Sequence, residues 1–327
     1  MSTESAFSTA RIGAVAIGRN EGERLISCLT SLKGKISPLV YVDSGSTDDS
    51  VDAARKLGAE VVQLDMTIPF TAARARNAGY ARLKELMEDV EFVQFLDGDC
   101  DLADGWVEVA IKTLGADPGL AIVCGRRRER FPDASIWNRL IDKEWDTPIG
   151  DALACGGDAL IRRHALDDVA GYREDLIAGE EPEMCYRLRA KGWRIRRVDA
   201  EMTLHDAAMT RMSQWWQRSK RAGHAFAEVS TLHRQSKDGP WRTEARRSLI
   251  WGAVPPTIAI LGSGFISMWF LAILVVWPMQ MLRMRRRGAT WRDAIFLTLC
   301  KIPEAQGSLE FHAARLTGGK RSLIEYK

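Results

Sequence analysis

The order of apolar and polar segments predicts an α/β fold built on a doubly wound parallel sheet, and three observations carry that expectation. Short β-rich runs alternate with helical stretches from Arg11 to about residue 125: GAVAIG, LISCLTSL, LVYVDSG, DSVDAARKLG, AEVVQLD, a further helix and EFVQFLDGDCD. Alternation at this spacing is what parallel strands joined by crossover helices produce. Two of the runs end in acidic loops, VDSGSTDDS and LDGDCD, and open α/β sheets bind ligands at the carboxyl ends of their strands. Beyond them, a Gly156–Gly157 turn, a helix expected over Glu181–Lys191 and a strand RIRRVDA continue one domain across residues 11–233.

The 327 residues are 46% apolar and 27% charged, ordinary for a globular chain with one large domain and an appendage. Because 46 Lys and Arg nearly balance 43 Asp and Glu, the net charge of +3 gives no case for nucleic acid as a partner. Six scattered cysteines without a CxxC pair argue against a zinc site or a disulfide framework and for a reducing compartment. Residues 1–10 are expected to be flexible; with no apolar run there to act as signal peptide or anchor, the domain that follows is expected in the cytoplasm.

Residues 234–248 read as a basic linker, 249–282 as a membrane segment and 283–327 as a basic amphipathic tail. The run from Leu249 to Leu282 carries no charge over 34 positions, and a helix needs roughly 20 apolar residues to cross a bilayer. Arg242, Arg246 and Arg247 precede it and Arg283, Arg285, Arg286 and Arg287 follow it, so the preference of basic residues for the cytoplasm favours both flanks on one side. Pro255, Pro256 and the Gly262–Ser263–Gly264 triplet allow a re-entrant hairpin, and a single span over Thr257–Trp277 is the alternative.

The chemistry sits in the acidic loops. Asp97, Asp99 and Asp101 follow the apolar strand EFVQFL, where side chains converge on one loop, and Mg²⁺ or Mn²⁺ is often held by one or two carboxylates together with substrate phosphates. Asp43 closes an earlier strand, and the loop after it is able to hydrogen-bond a base or ribose. Within that loop, Ser46, Thr47 or Asp48 also suits the N-cap of the next helix. Arg74, Arg76 and Asn77 offer planar donors for a phosphate or base, or form an exposed helix face.

Taken in order, RNEGERL, VDSGSTDDS, ARNAG, FLDGDCD, GGDALIRRHAL, GYREDLIAGEEPEMCYRLRAKGW and the later His205 resemble the family 2 glycosyltransferases, bacterial membrane-associated enzymes among them, over about residues 10–230. The resemblance implies a GT-A fold, with a mixed sheet and a Rossmann-like nucleotide-binding half, and inverting transfer from a nucleotide sugar. It implies that Glu21, Asp43, Arg76, Asn77 and Asp97 bind the donor, that Asp99, with Asp97 and His205, holds a divalent metal, Mn²⁺ or Mg²⁺, and that the GEEPE carboxylates supply the base. Glu stands there where the family usually has Asp, which leaves open whether Glu181 or Glu180 serves. Arg218, in the stretch Gln214–Arg221, matches an element near the donor diphosphate, although its spacing departs from that of processive synthases; an interfacial helix is the other reading of those Trp and Arg residues.

The expected activity is therefore transfer of a sugar from a UDP- or GDP-linked donor to a lipid-linked, polyprenyl-diphosphate saccharide acceptor in surface-polysaccharide assembly. The expected location is the bacterial inner membrane, with the catalytic domain facing the cytoplasm. A polyprenyl-phosphate sugar synthase and a catalytically silent nucleotide-sugar-binding subunit are the alternatives.

Overall fold

The computed structural model describes residues 10–318. The N-terminal residues expected to be flexible lie outside the described residues except for the last of them, as does the end of the basic tail from residue 319. Two compact units emerge: residues up to Asp175 together with Glu180–Ala208, and Leu176–Gly179 together with the chain from Met209 onward.

In the first unit the strands are β1 (Ile12–Gly18), β2 (Leu39–Asp43), β3 (Glu60–Gln63), β4 (Phe92–Asp97), β5 (Cys100–Leu102), β6 (Leu120–Glu129), β7 (Gly150–Ala152), β8 (Ala159–Arg162) and β9 (Arg194–His205). They form one sheet in the order β3-β2-β1-β4-β8-β6-β9-β5, with β7 added beside β9. The half from β3 to β4 is parallel, as the alternation predicts. The other half is not: β8 runs antiparallel to both β4 and β6, and β5 runs antiparallel to β9, so the sheet is mixed. The residue pattern alone misses this because β5, β7 and β8 are only 3 or 4 residues long, too short to display a period.

Helices α1 (Glu23–Leu32), α2 (Ser50–Lys56) and α3 (Ala72–Leu86) connect the parallel strands, and α4 (Trp106–Ala116) leads into β6. Strands β1 and β4 are almost wholly buried, as expected of a sheet covered on both faces. Gln94 on β4 is buried but not orphaned: its Oε1 accepts the Trp106 indole N–H at 2.8 Å and its amide donates to the Phe95 carbonyl at 2.9 Å. Helix α5 (Ile136–Glu144) begins at Ser135, whose hydroxyl accepts the Asn138 N–H at 3.0 Å. Helices α6 (Arg163–Asp168) and α7 (Glu180–Ala190) complete the unit, and the first turn of α7 carries Glu180, Glu181 and Glu183, the acidic start that a helix dipole favours.

The second unit is helical: α8 (Met212–Leu232), α9 (Arg242–Ser248), a π-helical turn over Leu249–Ala253, α10 (Val254–Phe265), a 3₁₀ stretch over Met268–Val275, α11 (Val276–Arg286), α12 (Trp291–Leu299) and α13 (Lys301–Thr317). Half of the expected basic linker is thus helix, and α9 runs through the π turn into α10 as one element of 24 residues. Helices α8 and α13 meet backbone to backbone: a Cβ on Gly223 would lie 1.9 Å from the Glu304 carbonyl oxygen, and one on Gly307 would lie 1.9 Å from that of Lys220. Ser308 donates to the Gly223 carbonyl at 2.9 Å inside this crossing. Gly307→Ala is therefore expected to force the helices apart and destabilise the unit by about 1–3 kcal/mol, the usual range for overpacking. A thermal melt checks this, and an unchanged midpoint would mean that the crossing has slack.

Candidate active site

The carboxyl ends of β1, β2 and β4, together with the N-terminus of α7, gather most of the residues named from the sequence. The centre is Arg76, on α3, whose side chain is only 2% exposed. Its Nη2 donates to Asp97 Oδ1 at 2.8 Å, and its Nη1 reaches Glu180 Oε1 at 2.7 Å and Glu181 Oε1 at 3.1 Å. The guanidinium also lies over the Tyr172 ring, 5.6 Å from its centroid. One buried cation thus binds the first aspartate of the DGD loop to both glutamates of GEEPE.

Asp97 is held from its other side as well. Its Oδ2 receives Arg127 Nη2 at 3.4 Å, and its backbone N–H donates to Asp158 Oδ1 at 3.1 Å. Asp158 is fully buried and takes the Arg127 Nε–H at 2.8 Å and the Thr203 hydroxyl at 2.7 Å on Oδ2. Burial pushes the Asp97 carboxyl up, but Arg76 and Arg127 outweigh it and hold the group below the usual carboxylate range. Asp97 thus has both oxygens on arginines, and it also stands with Cys100 and Asp158 in a group whose ligand atoms lie close enough together to hold a metal ion.

Asp99 and His205 make the metal-type pair. Both are buried, and His205 Nε2 lies 3.2 Å from Asp99 Oδ1. Strand pairing sets the distance, because β5 and β9 place Cys100 opposite His205, and the Asp206 N–H bonds the Asp99 carbonyl at 3.1 Å. His205 Nδ1 is buried with no hydrogen-bond partner among the described residues, and the ring packs edge-on against Trp145 at 4.7 Å between centroids. A buried carboxylate facing an imidazole, with the Cys100 sulfur beside them, is a donor set that a divalent cation fits. Asp101, by contrast, is tied to Ser27 at 2.7 Å and to Arg130, outside that pair.

The remaining candidates divide between the cleft and its supports. Asp43 is buried and shapes the loop after β2: its Oδ2 accepts the N–H groups of Gly45 and Ser46, each at 3.0 Å. Thr47 bonds Asn20 and not a helix end, while Asp48 Oδ1 accepts the Ser50 N–H at 3.1 Å. Glu21 pairs with Arg24 at 2.8 Å, and its Cγ lies 3.3 Å from where a Cβ on Gly98 would stand, which puts Glu21 against the DGD loop. Asn77 faces away from this cluster: its amide donates to the Tyr172 carbonyl and to Glu174 and accepts the Tyr172 N–H, latching the 171–174 turn onto α3. Arg74 is likewise engaged with the carbonyls of Ile68 and Asp65. Arg218 lies on α8 in the second unit.

Glu181 is shifted upward. Burial and the neighbouring Glu180 raise its carboxyl, against the pull of Arg76, to about 7. Sequence reasoning missed Arg127 and Asp158. Asp158 was visible only as the third residue of the GGD turn, and nothing in GRRRER separates Arg127 from its neighbours. Gly157 is part of the same assembly, since a Cβ there would lie 2.4 Å from Arg76 Nη2 and 3.0 Å from Asp97 Oδ2. Gly157→Ala is expected to dislodge this pair and weaken nucleotide binding at least about tenfold, a cost of about 1.4 kcal/mol. Nucleotide titration checks it, and unchanged binding would show the cluster to be irrelevant to the ligand.

Residues 16–170 match the family model described as glycosyl transferase family 2. The chain is 26% identical over 294 residues to the pre-mycofactocin glycosyltransferase of Mycobacterium tuberculosis, a match covering 83% of this chain and 57% of that protein. It is 24% identical over 214 residues to the succinoglycan biosynthesis protein ExoA of Rhizobium meliloti, covering 61% of this chain and 64% of that one. The chain therefore spans little more than half the length of its mycobacterial relative. In fold it is similar to the mannosyltransferase PcManGT from Pyrobaculum calidifontis, solved in complex with GDP-Man and Mn2+, with a TM-score of 0.59, 20% identity and coverage of 91% of this chain and 87% of that one. Residues 16–170 are thus similar to glycosyl transferase family 2, and the mixed sheet with acidic loops at its strand ends has the fold of the solved mannosyltransferase.

Proposed function

We propose that the enzyme transfers one sugar, with inversion, from a UDP- or GDP-linked donor to a lipid-linked acceptor such as a polyprenyl-diphosphate saccharide, in the assembly of a surface polysaccharide. The observation that carries this reading is the pairing of a buried Asp99–His205 site with a separate carboxyl, Glu181, raised to about 7 and joined to Asp97 through Arg76. The GDP-Man and Mn2+ bound to the mannosyltransferase of similar fold support a nucleotide-sugar donor and a divalent metal, and the succinoglycan relative supports a polysaccharide product. The apolar segment supports a location at the bacterial inner membrane, where a lipid-linked acceptor lies, with the catalytic unit on the cytoplasmic side.

In this reading Glu181 takes the proton from the acceptor hydroxyl. The freed oxygen attacks the anomeric carbon from the face opposite the diphosphate, and the carbon–oxygen bond to the diphosphate breaks, its electron pair leaving with the nucleoside diphosphate. A single displacement of this kind inverts the anomeric centre. A divalent cation held by Asp99 and His205 would spread the charge that develops on the leaving diphosphate, and an imidazole beside a carboxylate suits Mn²⁺ better than Mg²⁺. Arg76 keeps Glu181 and Asp97 in register, while the acidic loop shaped by Asp43 and flanked by Glu21 receives the nucleoside.

Calorimetric titration of detergent-purified protein with UDP and GDP, each with and without Mn²⁺, tests the donor site. Metal-dependent binding of one nucleotide, lost in Asp99→Ala, is expected; no binding of either by folded protein would sink the proposal. Glu181→Gln is expected to keep nucleotide affinity while transfer falls about 10²–10⁴-fold, the usual contribution of a positioned base. A base with a raised pKa is inactive when protonated, so the rate should fall as pH drops through about 7. A flat profile across that range would remove Glu181 from the role.

A further inference from the structure

The apolar segment of the second unit has a shape that its composition does not reveal. Its first turn is protein-packed: a Cβ on Gly252 would lie 1.7 Å from the Lys301 carbonyl oxygen, and Gly252 is buried against α13. Beyond that turn, α10 projects for 12 residues, about 18 Å at ~1.5 Å per residue. The chain then reverses. The N–H groups of Ile266 and Ser267 both bond the Gly262 carbonyl at 2.9 Å, and Ser267 caps the returning 3₁₀ stretch through the Trp269 N–H. The two arms touch, since a Cβ on Gly262 would lie 2.2 Å from Phe270 Cγ, and the Trp277 indole closes the base by donating to the Trp251 carbonyl at 3.0 Å.

The tip of this hairpin is apolar and bare. Phe265 is 85% exposed, Trp269 86%, Ile266 74% and Met268 68%. At the end of the returning arm, Arg283, Arg285, Arg286 and Arg287 are all exposed, and Arg246 and Arg247 are exposed before the outgoing arm. Apolar surface at one end and arginine at the other is the order of a bilayer from acyl chains to phosphates. The whole helix Arg242–Phe265 is long enough to cross a bilayer, but its charged start and packed turn leave only the 12 residues of α10, about 18 Å, to enter, well short of the roughly 30 Å hydrocarbon core.

Resting on the membrane location proposed above, we infer that Trp251–Trp277 is a re-entrant hairpin that enters one leaflet of an anionic bilayer without crossing it. Its tip from Phe265 to Trp269 sits among acyl chains, and the arginines at 283, 285, 286 and 287 meet anionic headgroup phosphates. Both flanks therefore stay on the same face, and the catalytic unit and the tail share one compartment.

Flotation with vesicles of phosphatidylcholine alone, and of phosphatidylcholine with phosphatidylglycerol, tests this. The protein is expected to float with the anionic vesicles. F265E/W269E should abolish this, and R285Q/R286Q should weaken it about tenfold or more, with a steep salt dependence. In sealed membrane vesicles, cysteines introduced as Lys237→Cys and Arg287→Cys, in a Cys300→Ser background, should react with an impermeant maleimide from the same side. Labelling from opposite sides means a span and overturns the inference. So does unchanged flotation of F265E/W269E, or a detergent-sensitive dimer that hides the tip in place of lipid binding. Asp99→Ala is expected to float like the native protein, so loss of nucleotide binding with flotation intact would count against the transferase reading alone.

Discussion

A single guanidinium organises the candidate active site. Arg76 is buried, yet it is bonded to Asp97, Glu180 and Glu181, three carboxylates supplied by β4 and α7. Removing water from so many charges is costly, and only their mutual pairing offsets it. The arrangement leaves Arg76 firmly protonated and Asp97 ionised, while Glu181, with the longest bond of the three, remains protonatable near neutrality. A second arginine, Arg127, repeats the motif with Asp158, so Asp97 lies between two cations and has no freedom to swing.

The metal-type pair is built by other means. Asp99 and His205 owe their approach to antiparallel register between β5 and β9. Backbone pairing fixes ligands more firmly than long side chains do, which suits groups that must converge on one atom. Trp145 shields this pair by packing on His205 and under the Arg127 guanidinium, so that the fastening cluster and the metal pair share one aromatic wall.

Much of this was legible in the sequence. The alternating apolar runs give the parallel half of the sheet, and the ordered motifs from RNEGERL to His205 give the fold that the family match and the solved neighbour share. The mixed half was not legible, because its short strands β5, β7 and β8 are specified by partners far away in the chain. For the same reason Arg127 and Asp158 could not be selected: their importance comes from facing Asp97 across 30 and 61 residues of sequence. The motifs also could not show that the amide of Asn77 is engaged by the 171–174 turn. A short motif specifies residue types, whereas a hydrogen-bond partner depends on which backbone passes nearby.

Strand β9 carries a consequence for how the molecule comes into being. Its 12 residues pair with β5, β6 and β7, and its last residue is His205. Until that strand has docked, Asp99 faces no imidazole and Thr203 does not reach Asp158. Contacts between such distant parts of a chain form late, after long loops have closed. Synthesis delivers β1 to β4, the parallel half, before residue 205 has emerged, so that half can form while Asp99 still lacks its imidazole partner.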